Sequence, residues 1–354
     1  MAGASLAAEL APFASVLVLE AEDRPGYHST GRSAAFWDEC YGGPDIVPLT
    51  LASGGFLEQN NLLTKRGALH IGRAEDKAKV DQFLAEFGET GATIERLDRA
   101  QIEQKLPDLL PEWVDGVWEP ACSDIDVAGL HSLYLSIARK AGAELCVRAI
   151  VESADHGGDG WRIKTADQRE FRAVRMINAA GAWADELARI AGVRPLGITP
   201  FRRTVVQLRT NPEPRPNQPL VLDISGDFYF KPSSGRLWLS PHDEEPSPPC
   251  DAAPEELAVA TVIDRLESVV DWTVASVETK WAGLRSFAPD RLPVYGFDPA
   301  ADDFFWFAGQ GGYGIQTAPA AARLARQLLL GQERDAMTKH LDAARYDPSR
   351  FTDR

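Results

Sequence analysis

The sequence predicts an α/β fold: a dinucleotide-binding domain assembled from separate chain segments, with a second, mainly β-sheet (α+β) domain inserted between them. Three observations predict it. Helix and strand patterns alternate at both ends of the chain. The block 200–240 is strand-like throughout and is bordered by the Pro-rich stretches NPEPRPNQP (211–219) and SPHDEEPSPPCDAAPEE (240–256). The chain opens on what reads as the second half of a βαβ unit, a helix over 2–10 feeding a strand over 15–20 that ends on Glu20. The expected division gives 1–60, 122–198 and 282–345 to the nucleotide domain, and 61–121 and 199–281 to the inserted domain.

The elements follow from local pattern. Residues 2–10 are Ala- and Leu-rich and favour helix. Short helices are expected over 75–90 and 98–105, and an amphipathic helix over 129–141. ELCVRAIVES (144–153), GWRIKTA (160–166) and EFRAVRMINAAG (170–181) read as strands, and WADELARIAGV (183–193) as a helix with Gly192 near its end. FRRTVVQLRT (201–210) pairs with a neighbour, and LVLDISGDFYFKP (220–232) forms an antiparallel pair with GRLWLS (235–240). The two Pro-rich stretches read as long loops between strands. DFFWFAGQ (303–310) is a buried strand, followed by a Gly loop and a helix near 315–330.

Composition excludes several classes. The 354 residues carry a formal net charge of -15, which repels phosphate backbones and anionic membranes, so no nucleic-acid partner is expected. No apolar run is long enough to span a bilayer and no signal peptide is visible, so a cytoplasmic protein is expected. Cys40, Cys122, Cys146 and Cys250 form no CxxC pair and read as reduced, buried thiols. The six histidines form no HxxxH or HExxH pattern, and no metal is expected.

The opening carries part of a dinucleotide fingerprint, G-x-G-x-x-G. Met1 and Ala2 fall on its last two variable positions, and Gly3 falls on its third glycine, which would let the helix pack close to its strand. Glu20 then stands about 20 residues from the first glycine, where an acid bonds ribose hydroxyls. The bland reading makes Gly3 a frayed terminal residue and Glu20 a solvated strand end.

GYHSTGRSAAFW (26–37), NAAGAWADELA (178–188), WAGLRSFAPD (281–290) and GQGGYGIQT (309–317) occur in order along the chain. Together with Glu20 they resemble the FAD-dependent D-amino-acid oxidase superfamily, and within it the bacterial D-arginine dehydrogenases, which act broadly on D-amino acids. The resemblance spans nearly the whole chain. It implies a Rossmann-like FAD-binding domain with non-covalently bound FAD. The expected cofactor contacts are Gly3, Glu20, Gly31, Arg32, Ser33, Ala34, Ala180, Gly181, Trp183, Gly311, Gly312, Tyr313, Gly314, Ile315, Gln316 and Thr317. It also implies that the natural chain carries an upstream strand and two further glycines, Met1 being an internal position.

The implied reaction oxidises a D-amino acid by hydride transfer from Cα to flavin, giving an imino acid that water hydrolyses to a 2-oxo acid and ammonia. Arginine suits the carboxylate because its planar fork meets two oxygens at once. Arg285 and Arg202 are the expected holders. Strand alternation puts Arg202 and Arg203 on opposite faces, so only one reaches the site, and the resemblance favours Arg202. Tyr41 and Tyr229 complete the expected grip, with Gly312 and Gln316 touching substrate and flavin. In GGYGIQT the glycines permit a tight turn, and the helix N-terminus beyond it offers free N–H groups for the reduced flavin.

Two departures bear on substrate. The resembling enzymes carry a His where Phe36 stands, and their acid for a cationic side chain has no counterpart near Ala68. The expectation is therefore an apolar, small or acidic substrate side chain rather than arginine. The electron acceptor, whether O2, quinone or another carrier, stays unidentified. Three other readings stay open. They are a glycine- or sarcosine-oxidase-like amine oxidase or a 2-hydroxy-acid dehydrogenase on the same fold, a truncated, flavin-free, non-catalytic protein, and an NAD enzyme.

Overall fold

Among the described residues, four small sheets and one of ten strands build the fold. The structure, a computed structural model, describes residues 1–352. The expected mixed α/β architecture is present.

The strand Leu17–Leu19 pairs in parallel with Glu144–Cys146. Met176–Asn178 pairs in parallel with Ala301–Ala308, which turns antiparallel onto Val294–Asp298. Helix Ala2–Leu10 bridges the two groups. Its Leu6 and Leu10 pack with Ile177, Phe305 and Phe307, while Ala4, Ala7 and Ala8 pack with Val16 and Val18. Each fully buried Leu or Phe contributes about 1.5–3 kcal/mol, so this short helix is fixed by packing more than by propensity. A Cβ added at Gly3 would stand 3.9 Å from the Ala179 Cβ, an ordinary contact. The expected need for glycine in that packing is therefore not met.

The opening strand is shorter than expected. Its ladder ends at Leu19↔Cys146. The expected strand 144–153 breaks in two, Glu144–Cys146 and Val151–Gly157, because Arg148 turns to φ +52°. There the chain leaves the ladder, and the Arg148 and Ala149 amides donate to the carbonyls of Glu22 and Glu20. Of the four thiols, Cys40 and Cys122 are buried and Cys146 and Cys250 half-buried, which corrects the expectation that all four are interior.

The ten-stranded sheet positions the site. Its main path runs Gln310–Gly311, Thr273–Phe287, Thr199–Asn211, Arg236–Ser240, Tyr229–Ser233, Leu220–Asp223, Ala68–Arg73, Trp113–Glu119 and Glu95–Asp98. The second Pro-rich stretch contributes the short strand Glu245–Pro246, which pairs onto Phe201 and Arg202. That stretch leads into helix Glu256–Glu267, not into another strand as expected. One face of the sheet is the apolar core: Leu69, Val206, Leu208, Val221, Phe230, Leu237 and Leu239, covered by Val259, Val262 and Leu266 of that helix. Alternation sends their neighbours to the opposite face, and the polar residues collect there.

Candidate active site

Cross-strand partners share a face, so the register fixes which arginines meet. Phe201 pairs with Arg285, Arg202 with Leu284, and Arg203 with Gly283. Arg203 therefore lies on the face of Arg285, and Arg202 lies on the other. This corrects the expectation for Arg202, whose guanidinium instead reaches Glu255 at 2.7 Å. Further along the same face stand Tyr229, opposite Leu222, then His70, also opposite Leu222, and Glu119, opposite Ala68.

Arg203 is buried, and its Nε donates to the Asp243 carbonyl at 2.9 Å. The Asp243 carboxylate is held by the Thr204 amide and hydroxyl at 2.7 and 2.8 Å. Burial and the neighbouring Arg285 guanidinium push Arg203 below the ordinary arginine range. Arg285 donates to the Tyr41 hydroxyl at 3.3 Å and forms an ion pair with Glu244, which also pairs with Arg291 at 2.9 Å. Glu244 lies 3.7 Å from Arg203. Burial works against the Glu244 carboxylate, but the Arg285 and Arg291 charges outweigh it and hold its pKa below the usual range. Arg203 Nη2 and Arg285 Nε are buried without a hydrogen-bond partner. Two adjacent guanidiniums with unspent donors form a site for a carboxylate.

Phe36 sits edge-on between Tyr41 and Tyr229, with ring centroids 5.6 and 5.8 Å away. On the other side of Tyr229, the His242 ring lies 5.7 Å off. Its Nδ1 is 2.7 Å from the Gly226 carbonyl, so Nδ1 carries the proton and Nε2 is the free acceptor. Burial and the two arginines hold its pKa down to about 3. Ala34, Phe36, Ala68, Val205, Leu220 and Leu222 pack beside Tyr229 as an apolar wall.

Gly312 forms the floor. A Cβ there would stand 2.3 Å from the Tyr41 hydroxyl and 3.2 Å from Arg285 Cδ, so only glycine leaves that space open. Gln316 is placed differently from the expectation that it touches substrate. Its buried amide donates to the Asp38 and Tyr41 carbonyls and to the Thr50 hydroxyl, at 3.2, 3.3 and 2.8 Å. It thus holds the 38–41 segment in place. The helix beyond GGYGIQT begins at Ala318, not 315. The turn before it leaves the N–H groups of Gly314, Ile315 and Gln316 without a partner among the described residues. The Thr317 amide, in contrast, donates to Tyr313, and Tyr313 itself is buried with its hydroxyl on the Arg291 carbonyl.

Glu20, Thr30 and Ala179 lie beside the first residues of helix Ala2–Leu10. Glu20 uses one carboxylate oxygen to accept the Glu22 amide. The Met1 amine donates to Thr30 Oγ1 at 2.7 Å. Gly31 closes a tight loop by donating to Gly26 O at 2.8 Å. Ser33 and Ala34 run from that loop towards Phe36. The Arg32 guanidinium is engaged with the Ala252 and Ala282 carbonyls and Asp251, which fixes the loop that carries its backbone amide. Ala180 leads into Gly181, at φ +58°, and the Trp183 ring lies 4.7 Å from His28. Arg203, His242, Asp243 and Glu244 are site residues that the sequence reading missed. Strand parity and the HDEE run at 242–245 were the available signals.

Residues 1–328 match the DAO family of FAD-dependent oxidoreductases, and the chain belongs to that family. It is 24% identical over 371 residues to FAD-dependent oxidoreductase domain-containing protein 1 of Bos taurus, covering 89% of this chain and 75% of that one. It is 27% identical over 303 residues to mitochondrial dimethylglycine dehydrogenase of Homo sapiens, covering 78% of this chain but 34% of that one. The chain thus spans about a third of that longer relative. The glycine oxidase structure from Geobacillus kaustophilus superposes with a TM-score of 0.84 at 22% identity, covering 98% of this chain and 95% of the other. FAD is the family's cofactor, and the donor set fits it. The partnerless amides of 314–316 suit the flavin's carbonyl edge, and Glu20, at the end of its strand, suits ribose hydroxyls. No helix is long and apolar enough to cross a membrane among the described residues.

Proposed function

We propose that the protein oxidises the Cα–N bond of a D-amino acid with a small or apolar side chain, giving a 2-oxo acid and ammonia after imine hydrolysis. The observation that carries this reading is the pair of buried Arg203 and half-buried Arg285, with partnerless buried N–H donors beside Tyr41 and Tyr229. The two guanidiniums take the substrate carboxylate. Gly312 lets the substrate approach the floor, and the wall of Phe36, Ala68 and Leu222 takes the side chain. FAD, bound without a covalent link, supplies the two-electron acceptor. His242, held neutral first by burial and then by the two arginine charges, keeps Nε2 as a hydrogen-bond acceptor beside the site. The D configuration is supported by the resemblance of the stretches 26–37 and 309–317 to D-amino-acid dehydrogenases.

A second reading, oxidation of glycine or an N-methylated glycine, is favoured by the similarity to glycine oxidase and dimethylglycine dehydrogenase. A substrate panel separates the two. The first reading gives the highest kcat/KM with a small or apolar D-amino acid. A maximum with sarcosine or dimethylglycine supports the second. A maximum with D-arginine or D-lysine contradicts the side-chain assignment.

Glu244 stands on the arginines that the substrate carboxylate needs. Substrate must displace it, so Glu244→Gln lowers KM by about 3- to 10-fold with little change in kcat. A higher KM in this variant would show that Glu244 positions Arg285 instead of competing for it.

A further inference from the structure

The face that carries the arginines also carries a second buried cluster, which the proposed reaction does not use. Asp38, His70 and Glu119 each offer a donor atom, and the three atoms lie within 4.8 Å of one another. All three residues are buried, with 1%, 7% and 0% exposure. They come from separate places: the 38–41 segment, strand Ala68–Arg73 and strand Trp113–Glu119.

Each group is already oriented. Asp38 Oδ1 accepts the Cys40 amide at 2.9 Å, and Glu119 Oε1 accepts the Glu39 amide at 2.5 Å. The His70 ring rests against Phe83 with centroids 4.6 Å apart. That leaves Asp38 Oδ2, Glu119 Oε2 and His70 Nε2, and each of these is buried with no hydrogen-bond partner.

Burying two carboxylates without compensation is costly. The Lys231 ammonium and the Arg66 guanidinium nearby are both committed to Asp124. A proton shared between the carboxylates would satisfy two of the orphaned atoms and leave the imidazole nitrogen bare. One divalent cation satisfies all three and cancels the charge.

We propose that Asp38, His70 and Glu119 bind a divalent transition-metal ion of the zinc or manganese type. One imidazole nitrogen and two carboxylate oxygens are the donor set such ions take, with water completing the shell. Ligand bonds of about 2.0–2.2 Å require the three atoms to close on the ion by roughly 1 Å or less. The ion pins the 38–41 segment to the sheet. Tyr41, three residues beyond Asp38, is thereby held against Arg285, so the role is a positioning one. No sequence motif announces the site, because its ligands run from position 38 to position 119 of the chain.

The test uses the full-length, FAD-loaded protein. It is stripped by dialysis against a chelator, re-equilibrated with Zn2+ or Mn2+, gel-filtered and analysed for metal content. Wild type is expected to retain ~1 ion per chain and to gain roughly 4 °C or more in Tm. His70→Gln and Asp38→Asn lose both effects while keeping the wild-type circular dichroism and flavin absorbance. Should either variant fail to fold, Co2+ added to stripped wild type gives visible d–d bands of nitrogen and oxygen ligation, without a thiolate charge-transfer band. The proposal is overturned if stripped wild type retains no ion and its Tm does not move, which would leave a shared proton or a cationic substrate group in the cluster. It is equally overturned if the variants retain as much metal as wild type, or if the Co2+ spectrum shows thiolate ligation alone.

Discussion

Arg285→Ala lowers kcat/KM for an amino-acid substrate by roughly 100- to 1,000-fold, the range expected when one partner of a buried, hydrogen-bonded charge pair is removed. Arg285 is the residue on which the site converges. It donates to Tyr41, neighbours Arg203 and holds Glu244. Without it the substrate carboxylate keeps one guanidinium, and the Tyr41 hydroxyl loses its donor. The loss falls mainly on KM, because the carboxylate is held in the ground state as well as in the transition state. Arg285→Lys recovers little, since an ammonium is a point charge that cannot meet two oxygens side by side. Steady-state kinetics with the preferred substrate, alongside flavin content per chain, check this. A variant with normal flavin and kcat/KM within about 3-fold of wild type would remove Arg285 from the site.

Arg203→Ala and Arg202→Ala differ by at least about 30-fold in kcat/KM, with Arg203→Ala the slower. The strand register decides this. Arg203 pairs with Gly283 and shares the face of Arg285, while Arg202 pairs with Leu284 and faces Glu255, itself 60% exposed. An ion pair to such an exposed partner contributes little, so Arg202→Ala stays within about 3-fold of wild type. Arg203→Ala also strips the Asp243 carbonyl of its donor and loosens the 240–246 segment, so its Tm falls as well. The reverse ranking, measured in the same assay, would mean that the register is shifted by one residue.

Those adjacent arginines show how far the sequence could be read. Alternation establishes that only one of them reaches the site, but the choice depends on a partner strand some 80 residues away, and no local pattern reports that register. Arg285 and Tyr41, in contrast, stand in stretches that the resemblance singles out, and the structure puts the two side chains in contact. The helix 2–10 and the buried strand near 303–310 were legible because packing and propensity agree there. The 240–256 stretch reads as a plain loop, since Pro recurs through it. Its functional content lies in Asp243 and Glu244, which reach back over the sheet to Arg203 and Arg285. Asp38, His70 and Glu119 were invisible for the same reason: folding, not spacing, brings them together.

The central claim, that this family member oxidises amino acids at the Arg203–Arg285 site, is tested most directly by anaerobic mixing. Flavin-loaded protein is combined with small and apolar D-amino acids, with their L-enantiomers, with sarcosine and with 2-hydroxy acids, while the flavin's visible absorbance is followed. The account predicts that a small or apolar D-amino acid bleaches the band and releases one 2-oxo acid per flavin reduced, and that Arg203→Ala slows the bleaching. Bleaching by 2-hydroxy acids alone, or by none of these compounds in a protein that retains its flavin, would contradict it.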